Sequence, residues 1–160
     1  MGLPARSSAA APGQLRATAS FGGETGSEVG GVSLRNTGAR VCRLPRSPLL
    51  TVFWNHERLR LHQSPFNDYQ PSGNQQRVRL LQPGQWAFVP VAWSNWCGDR
   101  PWGKGFFKPY LRLALAGSAQ LSVRLRHPSE MPPPRCDQPR APSTFEVGRF
   151  YAPLPVGWNP

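Results

Sequence analysis

The chain has 160 residues, 39% of them hydrophobic, enough for one domain around a single core. It carries 19 basic and 8 acidic residues for a net charge of +11, and among the basic residues only Lys104 and Lys108 are lysine. No apolar run approaches the ~18 residues a membrane-spanning helix needs, and 19 prolines with 16 glycines fit a turn-rich β protein better than a helical one.

Residues 1–13 are rich in Ala, Ser and Pro and read as a disordered lead-in or stalk. They lack an apolar signal core, so the chain as written shows no secretion signal. A first strand is expected from Gln14 to Phe21, then a loop at Gly22, Gly23 and Gly26. Val29–Arg35 follows, with Val32 and Leu34 inward and Ser33 and Arg35 outward. Asn36-Thr37-Gly38 is a turn, since Asn and Gly tolerate positive φ. Val41–Leu44 is a short paired piece stopped by Pro45 and Pro48. Leu50, Val52 and Trp54 then alternate with Thr51 and Phe53.

After a turn at Asn55-His56, Leu59 and Leu61 interleave with Arg58, Arg60 and His62, which predicts a strand over 57–63. Residues 64–74 are a polar loop. Arg77–Gln82 reads as a strand with Val78 and Leu80 inward, and Pro83-Gly84 fits the centre of a type II turn. Trp86–Trp93 is a strong strand whose Ala87, Val89, Val91 and Trp93 share one parity with Cys97. Pro90 removes a ladder donor, so this strand must lie at an edge or meet a bulge. Gly98–Gly105 is a loop. Tyr110–Ala116 and Gln120–Arg126 form a hairpin around Gly117-Ser118, with Leu111, Leu113 and Leu115, then Leu121, Val123 and Leu125, on the buried side. Residues 128–142 cross the surface in extended form. Phe145–Phe150 is a last strand, and residues 151–160 are a tail without pattern.

The period of two turns apolar side chains to one face and arginines to the other. About eight to ten short strands, with no helix, predict an all-β sandwich or barrel over residues 14–150. If strands 57–63, 75–82 and 120–126 share a sheet, Arg58, Arg60, Arg77, Arg79, Arg124 and Arg126 face solvent together as a candidate anion-binding face. The alternative is a solvated face that keeps edge strands from pairing with other chains. A GC-rich genome would by itself favour arginine over lysine. The aromatic stretch Trp96–Tyr110 offers Trp96, Trp102 and Tyr110 as candidate contacts for sugars or a partner. Its alternative role is to plug an open end of the core.

Chemistry-bearing patterns are sparse. The acidic residues show no paired arrangement, no Gly-x-Ser-x-Gly elbow occurs, and the glycines at 98–105 precede no helix that could hold a phosphate. The three histidines show no ligand spacing, so neither metal nor cofactor is expected, and the chain reads as non-catalytic. The cysteines are Cys42, Cys97 and Cys136. A catalytic thiol would need a histidine partner that the sequence neither shows nor excludes. A Cys97–Cys136 disulfide is the structural reading: it would pin the proline-rich crossing to the core and stabilise by roughly 4 kcal/mol through loop closure. Cys42 is then left over. The positive charge admits nucleic acid, but no recognition helix is visible, and nucleic acid ranks below an anionic polymer as partner.

Two motifs carry a resemblance. Val32-Ser33-Leu34-Arg35-Asn36-Thr37-Gly38 with Cys42-Arg43-Leu44-Pro45 is similar to one family signature. Leu81-Gln82-Pro83-Gly84 ahead of Trp86–Trp93 is similar to a second. With Trp96-Cys97-Gly98 and Pro134-Arg135-Cys136-Asp137, their order resembles the actinobacterial secreted domain known as domain of unknown function forty-two thirty-two. The resemblance covers roughly residues 14–150. It implies an antiparallel immunoglobulin-like β-sandwich outside the cytoplasm, as a lipoprotein or behind an anchor, with a cytoplasmic location as the alternative. It assigns no activity and no catalytic residue. The resemblance names no partner, which stays unknown; the arginine face would suit an anionic cell-wall polymer, with another envelope protein as the alternative. Family members often carry a further cysteine just before the first strand, able to pair with the one after the Asn-Thr-Gly turn. Here Ala11-Pro12-Gly13-Gln14-Leu15 has none, which would make Cys42 the orphan of a lost bridge.

Overall fold

The structure is a computed structural model in which residues 7–54, 56–98, 109–115, 119–127 and 133–160 are described. Among the described residues the chain is built of strands and one 3-10 turn, Pro12–Gln14. The longest strands are β2 (Leu15–Glu24), β3 (Ser27–Asn36) and β10 (Trp86–Ser94), joined as neighbours in the middle of an 11-stranded sheet. To one side lie β12 (Gln120–Leu125), β11 (Pro109–Ala114), β5 (Leu50–Trp54) and β6 (Glu57–Arg58), in that order from β2. To the other lie β13 (Thr144–Val147) and β7 (Gln63–Pro65), with β14 (Tyr151–Ala152) and β8 (Gln76–Arg77) beside them. A three-stranded sheet of β1 (Ser8–Ala9), β4 (Cys42–Arg43) and β9 (Leu80–Leu81) stands apart.

The large sheet curls on itself into an open half-barrel. Strands β5 and β10 are five positions apart in its order, which in a flat sheet would be roughly 24 Å. Yet the rings of Trp54 on β5 and Trp93 on β10 are 5.8 Å apart. Curling brings the inward residues of both halves into one core: Val32, Leu34, Val89 and Val91 from one side, Val52, Leu111, Leu113 and Val123 from the other. Gln63 helps to hold the open seam. Its amide donates to Pro48 O at 2.6 Å and accepts from Leu50 N at 2.9 Å, joining the start of β7 to the start of β5.

Period-two burial is followed closely in β5, β11 and β12, where every second residue is buried. It does not disclose strand direction, however: the pairs β2–β12 and β7–β13 are parallel where an antiparallel sheet was expected, and β1–β4, where no strand was expected at residues 8–9, is parallel too. Nor do Gly22 and Gly23 begin a loop. They pair with Val29 and Glu28, and the turn tightens to Thr25 and Gly26. Residues 8–9, within the expected lead-in, pair with Cys42 and Arg43, and Ala10 is buried beside them.

Two expected strands break where the chain changes partners. Residues 57–63 split into β6 and the start of β7, leaving Leu59 and Leu61 half-buried between them. The predicted 77–82 strand splits into β8, in the large sheet, and β9, in the small one. The kink shifts the phase, so Leu80 is 45% exposed and Leu81 is fully buried, the reverse of the expected parity. Ser33 points to the outer face as expected but is buried, with its hydroxyl donating to Thr18 O at 3.1 Å. It pairs with Phe88, over which the C-terminal tail folds. Trp158 packs on Phe88 at 4.7 Å, and Tyr151 meets Tyr69 at 5.0 Å. The tail thus builds a second, outer aromatic layer that no local pattern announces.

Pro90 is not at an edge, because β10 has neighbours on both sides. The second alternative holds. Val91 pairs with Val147 and Phe88 with Tyr151, so Gly148–Phe150 hold one residue more than the stretch of β10 they oppose. That is a β-bulge. It lies on the side where Pro90 has no N–H to give, while Pro90 O accepts from Gly148 N at 2.8 Å. A Cβ at 148 would collide with the Pro90 ring, so glycine is required there. The bulge ends β13 at Val147, short of the predicted Phe150.

The two sequence signatures meet at Asn36, which is fully buried. Its amide donates to Arg40 O at 2.7 Å and Leu81 O at 2.9 Å, and its Oδ1 accepts from Gly38 N at 2.9 Å. Its main chain accepts from Gly84 N at 2.7 Å and donates to Gln85 O. Gly84 has φ +76°, as the second central residue of a type II turn requires. Asn36→Ala removes the three side-chain bonds at a fully buried site and is expected to destabilise by about 3 kcal/mol in chemical denaturation.

Glu28 is the anomaly of the core. It lies on the inward face of β3 opposite Trp93, is 5% exposed, and its Oε2 has no hydrogen-bond partner among the described residues. Burial pushes its carboxyl up to about 7 from 4.5. Between these values the folded state holds a proton that the unfolded state has released, so Glu28 makes stability fall as pH rises through that window. Glu28→Gln is expected to gain on the wild type over the same window, by at most about 3 kcal/mol above pH 7. Paired denaturation curves at pH 4 and pH 8 would show no such divergence if the carboxyl were already ionised in the fold.

Candidate functional site

The six arginines predicted to share one face do not form one patch. Arg58, on β6, and Arg124, on β12, lie in a single cross-strand row. Arg58 stands opposite Phe53, which pairs with Tyr110. Tyr110 lies beside Arg124, one residue on from the paired Leu111 and Val123, and Arg124 pairs with Thr18. Arg60 falls in the irregular stretch after β6. Arg126 donates to Asn159 O of the tail at 2.7 Å. Arg77 sits on β8, across β10 and β14 from the others, and Arg79 turns its Nε toward Leu44 O at 3.3 Å beside the small sheet. The split of strand 77–82 separates the last two from the rest.

A tighter arginine row takes their place on the same outer face. Thr51 on β5 pairs with Arg112 on β11, and Arg112 with Ser122 on β12. Ser122 lies beside Arg16 of β2, one residue before the paired Val123 and Ala17. Arg16 is directly opposite Arg35 of β3, and Arg35 opposite Trp86 of β10. Arg16, Arg35 and Arg112 are all exposed. Two like charges directly opposed across strands destabilise the sheet, so the Arg16–Arg35 pair is a cost that a bound anion would relieve. None of the three has an acidic partner among the described residues, where the ion pair present is Arg135–Asp137 at 3.4 Å.

Aromatic rings frame this row. Phe53 and Tyr110 stack with centroids 4.7 Å apart and planes 2° from parallel. Arg112 lies over them, at 5.1 Å from the Phe53 centroid and 5.8 Å from that of Tyr110. At the other end Arg35 lies 5.8 Å over Trp86. Such contacts hold a guanidinium flat and leave its edge N–H groups for a ligand. The parity of Arg16, Arg35 and Arg112 was readable in their own strands. Their adjacency required strand order, which a parallel β2–β12 pairing decides.

Of the candidate aromatic contacts, Tyr110 belongs to this face. Trp96 does not: it packs edge-on against Trp54 at 5.8 Å and Trp93 at 5.7 Å, at one end of the core. Trp102 lies outside the described residues.

The Cys97–Cys136 disulfide is present, with Cα atoms 4.7 Å apart. It is backed by Asn95, a residue the sequence reading passed over. Asn95 takes positive φ (57°), accepts from the N–H groups of Asp137 and Gln138, and donates to Gln138 O and Ala141 O. Side chain and disulfide together fasten the proline-rich crossing to the end of β10. Cys42 is a free, fully buried thiol, and burial pushes its pKa up, away from the reactive thiolate. Its Sγ lies 3.6 Å from Gln14 Oε1, so the segment just before β2 does reach Cys42. Among the described residues no group of three His, Cys, Asp or Glu side chains converges as metal ligands would, and no helix is long and apolar enough to cross a membrane.

No curated protein matches the chain, and no solved structure does. One family profile matches residues 11–103, a span that contains Asn36, the turn at Gly84 and Cys97. By that match the chain belongs to the family described as Domain of unknown function (DUF4232).

Proposed function

We propose that this domain is a non-catalytic interaction module of the cell envelope that docks an anionic polymer on its outward arginine row. The observation that carries the reading is the alignment of Arg112, Arg16 and Arg35 in one cross-strand row over β11, β12, β2 and β3, without acidic partners among the described residues and with aromatic rings at both ends. An anion along this row would relieve the opposed Arg16–Arg35 pair, one strand separation apart (~4.8 Å), and meet Arg112 two strand separations beyond Arg16, across Ser122 (~10 Å). Placement outside the cytoplasm draws support from the Cys97–Cys136 disulfide, since such bridges persist in oxidising compartments. In this reading the two halves of the curled sheet act as the layers of an immunoglobulin-like sandwich, and the row occupies the outer surface of one of them.

The test is co-sedimentation with isolated cell wall and with a soluble phosphate polymer, each at low and at physiological salt. The wild type is expected to bind and to weaken with salt, because each neutralised charge contributes to the salt slope. The triple variant Arg16→Gln, Arg35→Gln, Arg112→Gln is expected to bind at least about tenfold more weakly at low salt and to show a shallower slope. A control variant, Arg60→Gln with Arg79→Gln, removes charge outside the row and should behave nearly as the wild type. Losses in both variants that simply scale with the charge removed, three against two, would mean that net charge alone drives binding. Preference for single-stranded DNA over wall polymer at physiological salt would move the assignment to nucleic acid.

A further inference from the structure

A second site lies on the opposite flank of the sheet, at the bulge that Pro90 imposes. Between the polar loop after β7 and the bulged segment runs a groove of about 530 Å³, within the range of small-ligand sites. Its walls include Phe66, Tyr69 and Tyr151, and two arginines, Arg77 and Arg149, line it with no acidic residue among the lining side chains. Arg149 is itself a bulge residue, and bulges re-aim side chains near binding sites. One edge of its guanidinium is anchored, with Nη1 donating to Arg46 O and Ser47 Oγ, which fixes the group without neutralising it.

The loop wall is built in advance of any ligand. Gln75 is 7% exposed, and its Oε1 accepts from the Tyr69 hydroxyl at 2.7 Å and from Ser72 N at 3.0 Å. Its Nε2 donates to Pro153 O of the tail at 2.9 Å. Burial, first, and the neighbouring Tyr151 hold the Tyr69 phenol above its ordinary range, so it stays a neutral ring and hydroxyl at working pH. A preorganised wall spares the ordering cost of binding.

We propose that this groove binds a carboxylate-bearing sugar, with the carboxylate held by Arg77 and Arg149 and the ring laid against the tyrosines. Two unneutralised guanidiniums select a planar anion through paired N–H donors. Aromatic walls offer apolar faces to a pyranose. The side-chain amides of Asn67 and Gln76, also in the lining, supply donors and acceptors for its hydroxyls. The site uses none of the residues of the arginine row and does not depend on that reading.

The experiment is a two-dimensional amide NMR titration of the full chain with digalacturonate, with the matched neutral disaccharide, and with inorganic phosphate. Digalacturonate is expected to shift the amides of residues 66–77 and 147–151 in a saturable way at millimolar or tighter affinity. The neutral sugar should shift them little, and phosphate should bind more weakly than the uronate. Arg77→Gln, at an exposed position, is expected to weaken uronate binding about fivefold or more. The triple variant of the arginine row should leave it unchanged. The proposal is overturned if the groove amides do not shift, if the neutral sugar binds as well, if phosphate binds equally, or if Arg77→Gln changes nothing.

Discussion

A single buried amide holds the frame on which both candidate sites rest. Asn36 ends β3, bonds its own turn through Gly38 N, and reaches across to Leu81 O, while its main chain grips the turn before β10. The two strands that flank this junction, β3 and β10, lie at the centre of the large sheet. A fully buried amide with three hydrogen-bond partners fixes position and direction together, since any displacement strands several polar groups at once. The register that sets Arg35 opposite Trp86 is counted from this junction.

The second constraint is covalent. Pro90 cannot donate to a ladder, and the chain answers by inserting one extra residue in the facing strand. Gly148 is the one residue whose backbone can lie against the proline ring. The same insertion places Arg149 in the lining of the groove and separates β13 from β14. A local backbone defect in the middle of a large sheet therefore creates a concavity on a surface that would otherwise be flat. The arginine row needs the opposite condition, an unbroken run of paired strands from β5 to β10. The two sites differ in shape because one lies on regular pairing and the other on its interruption.

Curling couples the two. If the sheet were flat, Trp54 and Trp93 would be far apart and the inward residues of β5, β11 and β12 would face water. Rolling the sheet buries both halves against each other and leaves one continuous outer face. The tail covers part of that face with Trp158 and Tyr151, and Arg126 ties to the tail at Asn159. What stays open is the stretch over β5, β11, β12 and β2, together with the flank at the bulge.

The residues that alternate without interruption were legible from the sequence: Leu50, Val52 and Trp54; Leu111 and Leu113; Leu121, Val123 and Leu125; and the parity of Trp86–Trp93. So were the turn at Gly84, the Cys97–Cys136 bridge, and the demand that Pro90 makes of its neighbour. Each of these depends on residues near one another in sequence or on a rule that binds one residue type. Tertiary structure alone decided the rest. Arg77 and Arg79 left the expected face because the chain kinks between two sheets at Val78, a switch that period two does not encode. Arg16, Arg35 and Arg112 came together because β2 pairs with β12 in parallel across more than a hundred residues of chain. A strand's own pattern fixes which way a side chain points. Which strands lie beside it is fixed by the burial available when the whole sheet rolls up, and that is a property of the complete fold.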